Sequence, residues 1–397
     1  MKSGIKFSIL LLLVVSGCEI NQKEVLPEDG FVKIYNHPDE LLSYYPESVI
    51  EISDGGYLFI SAVKDGLSEI EYPTTQLVRT DQAGVVIWAE RYNWLAPSSK
   101  LVNFGSSIGF VAMDLQLNAF AILVDPSSGE VREQHDLEMT LPLFSFGDGQ
   151  GNLVVLGYDF VSRSSWISKF NNNLGLERSN KLAVNADMDL LIQRHLNKTG
   201  QEFPFFIGEY SSDAGTGYYV SCFSNYTLRT MFLDISSLNA TGNVFSFQTD
   251  EAISAVIHKT GSLFSLSGYY EGNNYLVPEA DIDVGISQSI KDFQVRQLYE
   301  LTNKAKVVSE AVKSGSDEFA LFASQTNANS IVIYQYAMDS DSLVMTHHRY
   351  FDERVEVSDI IQTADGGIAI LGQIHVLGKY KRSFLLKEPK ELLNPED

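Results

Sequence analysis

Residue types able to do chemistry are sparse in this chain and poorly spaced for it. GSSIG (Gly105–Gly109) has the G-x-S-x-G spacing that presents a nucleophilic serine. That spacing works on a strand-to-helix elbow, which thrusts the hydroxyl outward. Here it leads into FVAMDL, an apolar strand, so a hairpin turn is expected instead. DIDVG (Asp281–Gly285) opens like a calcium loop. The later positions hold Gly285, Ile286 and Asp292 where such a loop needs an oxygen ligand, a glycine and a glutamate. His347 and His348 are neighbours in a predicted strand, point to opposite faces and cannot share a metal. GDGQGN (Gly147–Asn152) is glycine-rich, but no helix follows it to offer an anion site. Metalloprotease and paired-cysteine spacings do not occur. Paired carboxylates of the glycosidase kind stay open, because acidic loops from anywhere in the chain can converge. No catalytic residue, metal or cofactor is assigned. A binding role is favoured over catalysis.

The elements that would position any site repeat along the chain. Turns rich in Gly and Asp stand at Ser53, Gly105, Gly147, Ser212, Lys259, Lys313 and Ala364. Each precedes a short apolar strand: YLFISA, FVAMDL, LVVLGY, YYVSCF, LFSLSG, FALFAS, IAILGQ. Gly and Asp tolerate the positive φ of tight hairpins, and β-branched and aromatic residues suit a pleated core surface. A second strand follows in most units, then a more polar third such as IWAERYNW or MTHHRYF, and each unit opens with a strand such as ESVIEIS or VSDIIQT. Four strands at a period of about 50 residues describe propeller blades. The expected fold is all-β, a single propeller over residues 31–397 with seven four-stranded blades. The last unit lacks its outer strand, and FVKIYNHPD (Phe31–Asp39), which looks like WAERYNW, is expected to supply it and close the ring. DMDLLIQRHLNKTGQEFPFFIGEYSS (Asp187–Ser212) holds one element more than a blade needs, a short helix or an extra strand. A break there would leave a ring of six or eight blades.

The first residues read as a targeting device. Lys2 and Lys6 precede SILLLLVV, an apolar run too short to span a bilayer as a helix. VVSGC then ends on Cys18 and resembles the lipobox of bacterial lipoproteins. The resemblance implies a signal peptide over residues 1–17, removed before Cys18. It also implies a diacylglyceryl thioether on the Cys18 sulfur, an acylated amine (palmitate or similar) and a tether over residues 18–30. The membrane is then a partner through acyl chains. With 51 acidic and 29 basic residues the chain repels phosphate backbones, so nucleic acid is not expected as a partner. The other cysteine, Cys222, sits in an apolar strand as a buried, inert thiol.

The first unit reads DGGY (Asp54–Tyr57), an apolar strand, then LVRTDQAGVVIWAERY (Leu77–Tyr92). It is similar to the tandem DGGY repeats of β-propeller lipoproteins from Bacteroidota-type bacteria. Gly55, Gly56, Gly84 and Trp88 carry the likeness, which is close in the first unit and partial in the last. It implies an outer-membrane, cell-envelope setting, on either its periplasmic or its outer face, and no activity.

Uneven loops point to a docking face. KDGLSEIEYPT (Lys64–Thr74) carries Glu71 and Tyr72, YYEGNNYLVPEADID (Tyr269–Asp283) carries Tyr270, Glu271 and Tyr275, and NWLAPS adds Trp94. Long loops on one face are where function is commonly carried. Aromatics beside carboxylates suit a sugar, stacking on its ring and accepting from its hydroxyls. The expected role is a non-catalytic binding or scaffold module for a glycan or an envelope protein. The alternative is a glycan lyase or hydrolase on the same scaffold. The two separate on whether three or more polar side chains converge on the central channel.

Overall fold

The computed structural model describes residues 29–35, 41–65, 72–212, 215–248, 250–376 and 380–393. Cys18, Glu71 and residues 18–28 of the expected tether lie outside them. The described chain is antiparallel sheet almost throughout, with one short α-helix. The first strands are β1 (Phe31–Tyr35), β2 (Leu42–Glu51), β3 (Tyr57–Asp65), β4 (Thr74–Thr80), β5 (Val86–Phe104), β6 (Ser107–Met113), β7 (Asn118–Val124) and β8 (Val131–Thr140).

The turns form for the reasons their residues suggest. At the first, Gly55 takes a φ of +81° and Asp54 accepts a hydrogen bond from Gly56 N at 3.0 Å. Arg79, buried on the neighbouring strand, grips Asp54 at 2.5 Å. A side chain at Gly56 would run into that guanidinium at 2.3 Å, so the second glycine makes room for the arginine. The last unit repeats the device: Asp365 accepts from Gly367 N at 3.0 Å and pairs with buried Lys387 at 2.9 Å. The two DGG sentences are equivalent corners, each built round a buried cation.

The hydrogen-bonded sheets number six rather than seven separate four-stranded ones, and four of the six are four-stranded. The expectation of uniform sheets is corrected at three places. β2 to β8 form one seven-stranded sheet, because β5 runs unbroken for 19 residues from the exposed edge of the first unit to the inside of the second. Its first half is largely exposed, its burial rises from Ala96 onward, and its register with β6 slips at two places where it turns inward. A fifth strand, Ser287–Ser289, lies parallel to Ala240–Phe245, so the DIDVG segment reaches back onto the preceding unit. In the next sheet the outermost strand shrinks to Arg296–Gln297.

The opening strands of the units line the inside of the ring: β2, the second half of β5, Pro142–Gly147, Phe206–Ser212, Ala252–Thr260, Val307–Ser314 and Val355–Gln362. Each contacts the next, and the last contacts β2. Core side chains fill the wedges between neighbouring sheets. β1 pairs antiparallel with Tyr380–Glu388, Phe31 opposite Lys387 and Tyr35 opposite Ser383, as the closure expectation requires. Residues 36–39 of that expectation lie outside the described residues. Phe31 and Tyr57 meet edge to face at 6.2 Å, and the Tyr35 hydroxyl donates to Gly84 O at 3.1 Å. β1 therefore ties the last sheet to the first.

Candidate functional site

The inner strands enclose a cavity of about 880 Å³. One end is occupied by the segment that fits the repeat badly. Its first part is the α-helix α1 (Asp189–Leu196), with Asp189 in its first turn and Arg194 and His195 in its last, as the helix dipole favours. Lys198, with a φ of +56°, ends it. Thr199 N and Lys198 N then return to the carbonyls of Arg194 and His195.

The chain beyond α1 forms a plug. Lys198 Nζ meets Glu47 Oε1 at 2.6 Å and Glu202 Oε2 at 3.4 Å. Lys64 Nζ donates to Asn197 O at 2.7 Å, and Gln201 donates to the Tyr269 hydroxyl at 3.2 Å. His195 Nδ1 accepts from Phe203 N at 3.1 Å, and its ring stands edge-on to Phe205 at 4.9 Å. Burial pushes the imidazole down to about 3, with the Lys198 charge adding to it, so His195 is neutral at pH 7. Glu202 goes the other way. Burial alone would raise it, but Lys198, Lys306, His195 and Lys381 hold it at about 2.

Two further groups of charges stand in the wall. Glu356 Oε1 pairs with Arg354 and His375, both at 3.0 Å, and its Oε2 with Lys381 at 3.3 Å and with the Gln373 amide. Against its burial, the His375 hydrogen bond and the Lys381 charge keep this carboxyl far below the usual range. Lys381 also covers the Tyr45 ring at 4.7 Å. In the second group Lys100 Nζ meets Asp359 Oδ1 at 3.2 Å, while Asp359 Oδ2 accepts from Val49 N at 3.0 Å. Glu310 faces the same pair. Burial pushes its carboxyl up to about 7, Lys100 only partly countering and Asp359 adding to the rise. One cation serves two carboxylates there, so Glu310 holds a proton near neutral pH. Two buried polar atoms of the cavity wall, Ser254 Oγ and Gln373 Oε1, have no hydrogen-bond partner.

The expected docking residues are dispersed. Tyr72 is half-buried against the large core cluster beside α1. Trp94 is half-buried in another cluster, its ring 4.9 Å from Phe120, although the backbones meet where Ala96 N donates to Pro73 O. Tyr270 packs on a third cluster with Lys291 over its ring at 5.3 Å. Glu271 is exposed in the turn after it. Tyr275 corrects its expected place at a loop tip. It is 3% exposed, inside the strand Asn273–Asp281, which is buried on both faces from Asn274 to Pro278. Tyr270 and Glu271 adjoin Tyr269, which does line the cavity. The weaker motifs resolve as structure. Gly105 turns with a φ of +65° between β5 and β6, and Asp283 accepts from Gly285 N at 2.8 Å. His347 and His348 reach different partners, Leu392 O and Glu300. Cys222 is fully buried, and burial pushes its thiol up to about 12. Among the described residues no group of three or more His, Cys, Asp or Glu is placed to hold a metal.

The wall charges escaped the reading of motifs because they lie far apart in the sequence, from Glu47 to Lys381. A signal was present: Glu47, Lys100, Glu209, Glu310 and Asp359 each place a charge within an opening strand.

No protein-family model matches the chain, and no curated protein matches it. Among solved structures the WD40 β-propeller domain of Doa1 is similar, with 11% identity and a TM-score of 0.50 over 90% of this chain and 95% of that one. The Dos1 propeller has 11% identity and a TM-score of 0.46, covering 83% of this chain and 74% of that one. The propeller domain of the Trilobed protease from Pyrococcus furiosus has 8% identity and a TM-score of 0.46, covering 88% and 95%. At 11% identity the likeness to Doa1 is one of fold, and this chain is an all-β propeller.

Proposed function

We propose that this protein is a non-catalytic binding module of the cell envelope, held to the outer membrane by acyl chains on Cys18. Its glycan or protein partner docks on the face that carries the plug. Three or more polar side chains do converge in the cavity, which taken alone favours the enzymatic alternative; the observation that carries the binding reading is that most of them are already paired with one another. A paired, hydrogen-bonded wall suits recognition, whereas acid–base turnover needs groups free to gain and lose protons. Of the expected docking residues, Tyr270 and Glu271, which adjoin the cavity residue Tyr269, are the ones this reading keeps at the rim. We also read the ring as seven blades, the seven-stranded sheet being two blades joined through β5, because one opening strand per repeat stands on the inner wall.

One observation favours the second reading, a glycan lyase or hydrolase. Glu310, raised to about 7 beside Lys100, is a carboxylic acid able to donate a proton at neutral pH. One experiment separates the two. The protein is incubated with a glycan panel, and both retention and release of new reducing or unsaturated ends are scored. Retention without new ends is expected. Turnover abolished in Glu310→Gln would replace the binding reading with the enzymatic one. The anchor is read by fractionation: Cys18→Ala should leave the membrane pellet, and its continued sedimentation would reject lipidation.

A further inference from the structure

The two faces of the ring are unlike. Each sheet runs antiparallel from its opening strand outward. The turn after the second strand and the connection to the next unit therefore lie where the opening strands begin, which is the face of the plug. Among the described residues the six large apolar side chains most exposed to solvent, at 59–96%, all stand on that face. Leu115, Val161 and Tyr226 occupy turns after second strands. Phe247 and Tyr299 lie in connections between units, and Tyr350 ends the strand Leu343–Tyr350. Turns of the opposite face carry small or polar residues at their tips, such as Gly105 with Ser106, Ser127 with Ser128, and Gly149 with Gln150. The apolar side chains exposed on that side reach 58% at most. Val85, Val86, Ile87, Leu176 and Ile286 there stand at or just before the start of a strand. Single exposed apolar residues are ordinary. Their gathering at the loop tips of one face is not.

We propose that the plug face lies on a lipid bilayer, with these tips entering the headgroup level of a zwitterionic membrane. The tips come singly, each from a separate turn or connection and flanked by polar residues, as Leu115 is by Asp114 and Gln116. A protein interface is built instead round a contiguous apolar core. A bilayer takes each tip independently, and tyrosine and phenylalanine suit its interface. The net charge of −22 opposes both an anionic lipid surface and a second copy of the chain. The tether permits this placement. It joins β1 at the opposite face, where Phe31 stands across from Lys387 and Lys387 pairs with Asp365 of the turn there. The nine residues of Tyr380–Glu388 rise about 30 Å. The stretch from Cys18 to Gly30 reaches up to about 40 Å when extended, enough to pass the height of the ring. Tips at the headgroup level hold weakly, so the acyl chains carry the attachment and the tips set the orientation. The inference rests on the anchor of the binding reading. It adds that a partner entering the cavity from the plug face is itself carried in the membrane.

The test reads orientation on phosphatidylcholine vesicles. The full chain is purified in detergent and reconstituted, with an NBD dye on Ala328→Cys or on Gln150→Cys. Ala328 is exposed in a turn of the plug face, and Gln150 is exposed on the opposite one. Cys222 is fully buried, and an acylated Cys18 has no thiol to label. Doxyl-labelled phosphatidylcholine should quench the dye on Ala328→Cys and leave that on Gln150→Cys emitting. Val161→Ser, Phe247→Ser and Tyr299→Ser together should lose the quenching at an unchanged melting temperature, because all three side chains lie outside the core. Equal quenching at both positions, quenching at Gln150→Cys alone, none at either, or full quenching in the triple variant overturns the inference. A chain that dimerises without vesicles, and stops doing so in the triple variant, overturns it in favour of a second copy. Two dyes per chain would show Cys18 unacylated and defeat the anchor. The same pair is then read in Cys18→Ala, where quenching confined to Ala328→Cys keeps the inference and absence of vesicle binding overturns it. Retention on the glycan panel without quenching defeats this inference and leaves the binding reading standing.

Discussion

Two buried groups on opposite sides of the cavity set opposing acid responses. His195 titrates at about 3 in the folded chain against 6.5 when free, with Lys198, Glu202 and Lys306 as the charges facing it. Between those values the unfolded chain binds the proton first, so this histidine lowers stability as pH falls. Glu310 titrates at about 7 against 4.5, facing Lys100 and Asp359. There the folded chain binds the proton first, so this carboxyl raises stability as pH falls. Between about pH 4.5 and 6.5 the two offset each other. Melting temperatures of His195→Gln should therefore rise on acidification through that window, and those of Glu310→Gln should fall. Parallel profiles for both variants and wild type would show that neither group titrates as its surroundings imply. At this scale the turn chemistry was legible: Asp54 with Gly56 and Asp365 with Gly367 do what their spacing says. The site was not. Tyr275 looked like a loop-tip aromatic because its neighbours Gly272 and Asn273 signal a turn, yet one step into the strand the side chain faces the core. Glu47 and Lys198 meet only through the folded ring, and no local spacing announces them.

β1 is five residues long and supplies the outer strand of a sheet built otherwise from the far end of the chain. It buries Phe31 among Tyr57, Phe59, Ala369 and Leu385, at the seam between the last sheet and the first. Deleting residues 31–39 removes that aromatic and leaves the edge of Tyr380–Glu388 unpaired. Loss of a buried phenylalanine alone costs about 3–5 kcal/mol, which in a domain of this size lowers the melting temperature by roughly 5 °C. A truncated protein that melts with wild type would refute closure through β1. The closing strand was readable because the last repeat ends without a third polar strand and Phe31–Asp39 matches the missing one. The fused sheet was not readable. Whether β5 is one strand or two depends on hydrogen bonds carried through a bend, and the sequence pattern is the same for both. The poor fit of Asp187–Ser212 did signal an insertion, of which α1 is the first part, but not that its sequel would cross the cavity.

For the whole molecule the ring does two things. It closes on itself, which leaves the fold without a long free sheet edge at the seam, and it brings polar and charged residues from several repeats to one cavity. The first is legible in the sequence as repetition. The second appears only when the repeats are stacked. On the proposed binding reading, recognition belongs to the cavity, whose wall the plug residues share. The most direct test of that placement compares retention on the glycan panel by wild type, by Ser254→Phe and by Tyr350→Ala, the three checked for equal melting. Ser254 lines the cavity, and a phenylalanine there fills space a ligand would take. Tyr350 is 72% exposed at the end of the outer strand Leu343–Tyr350, away from the inner wall. The cavity account predicts that Ser254→Phe loses retention while Tyr350→Ala keeps it. Undiminished retention by Ser254→Phe would contradict the account and move the binding site off the ring's axis.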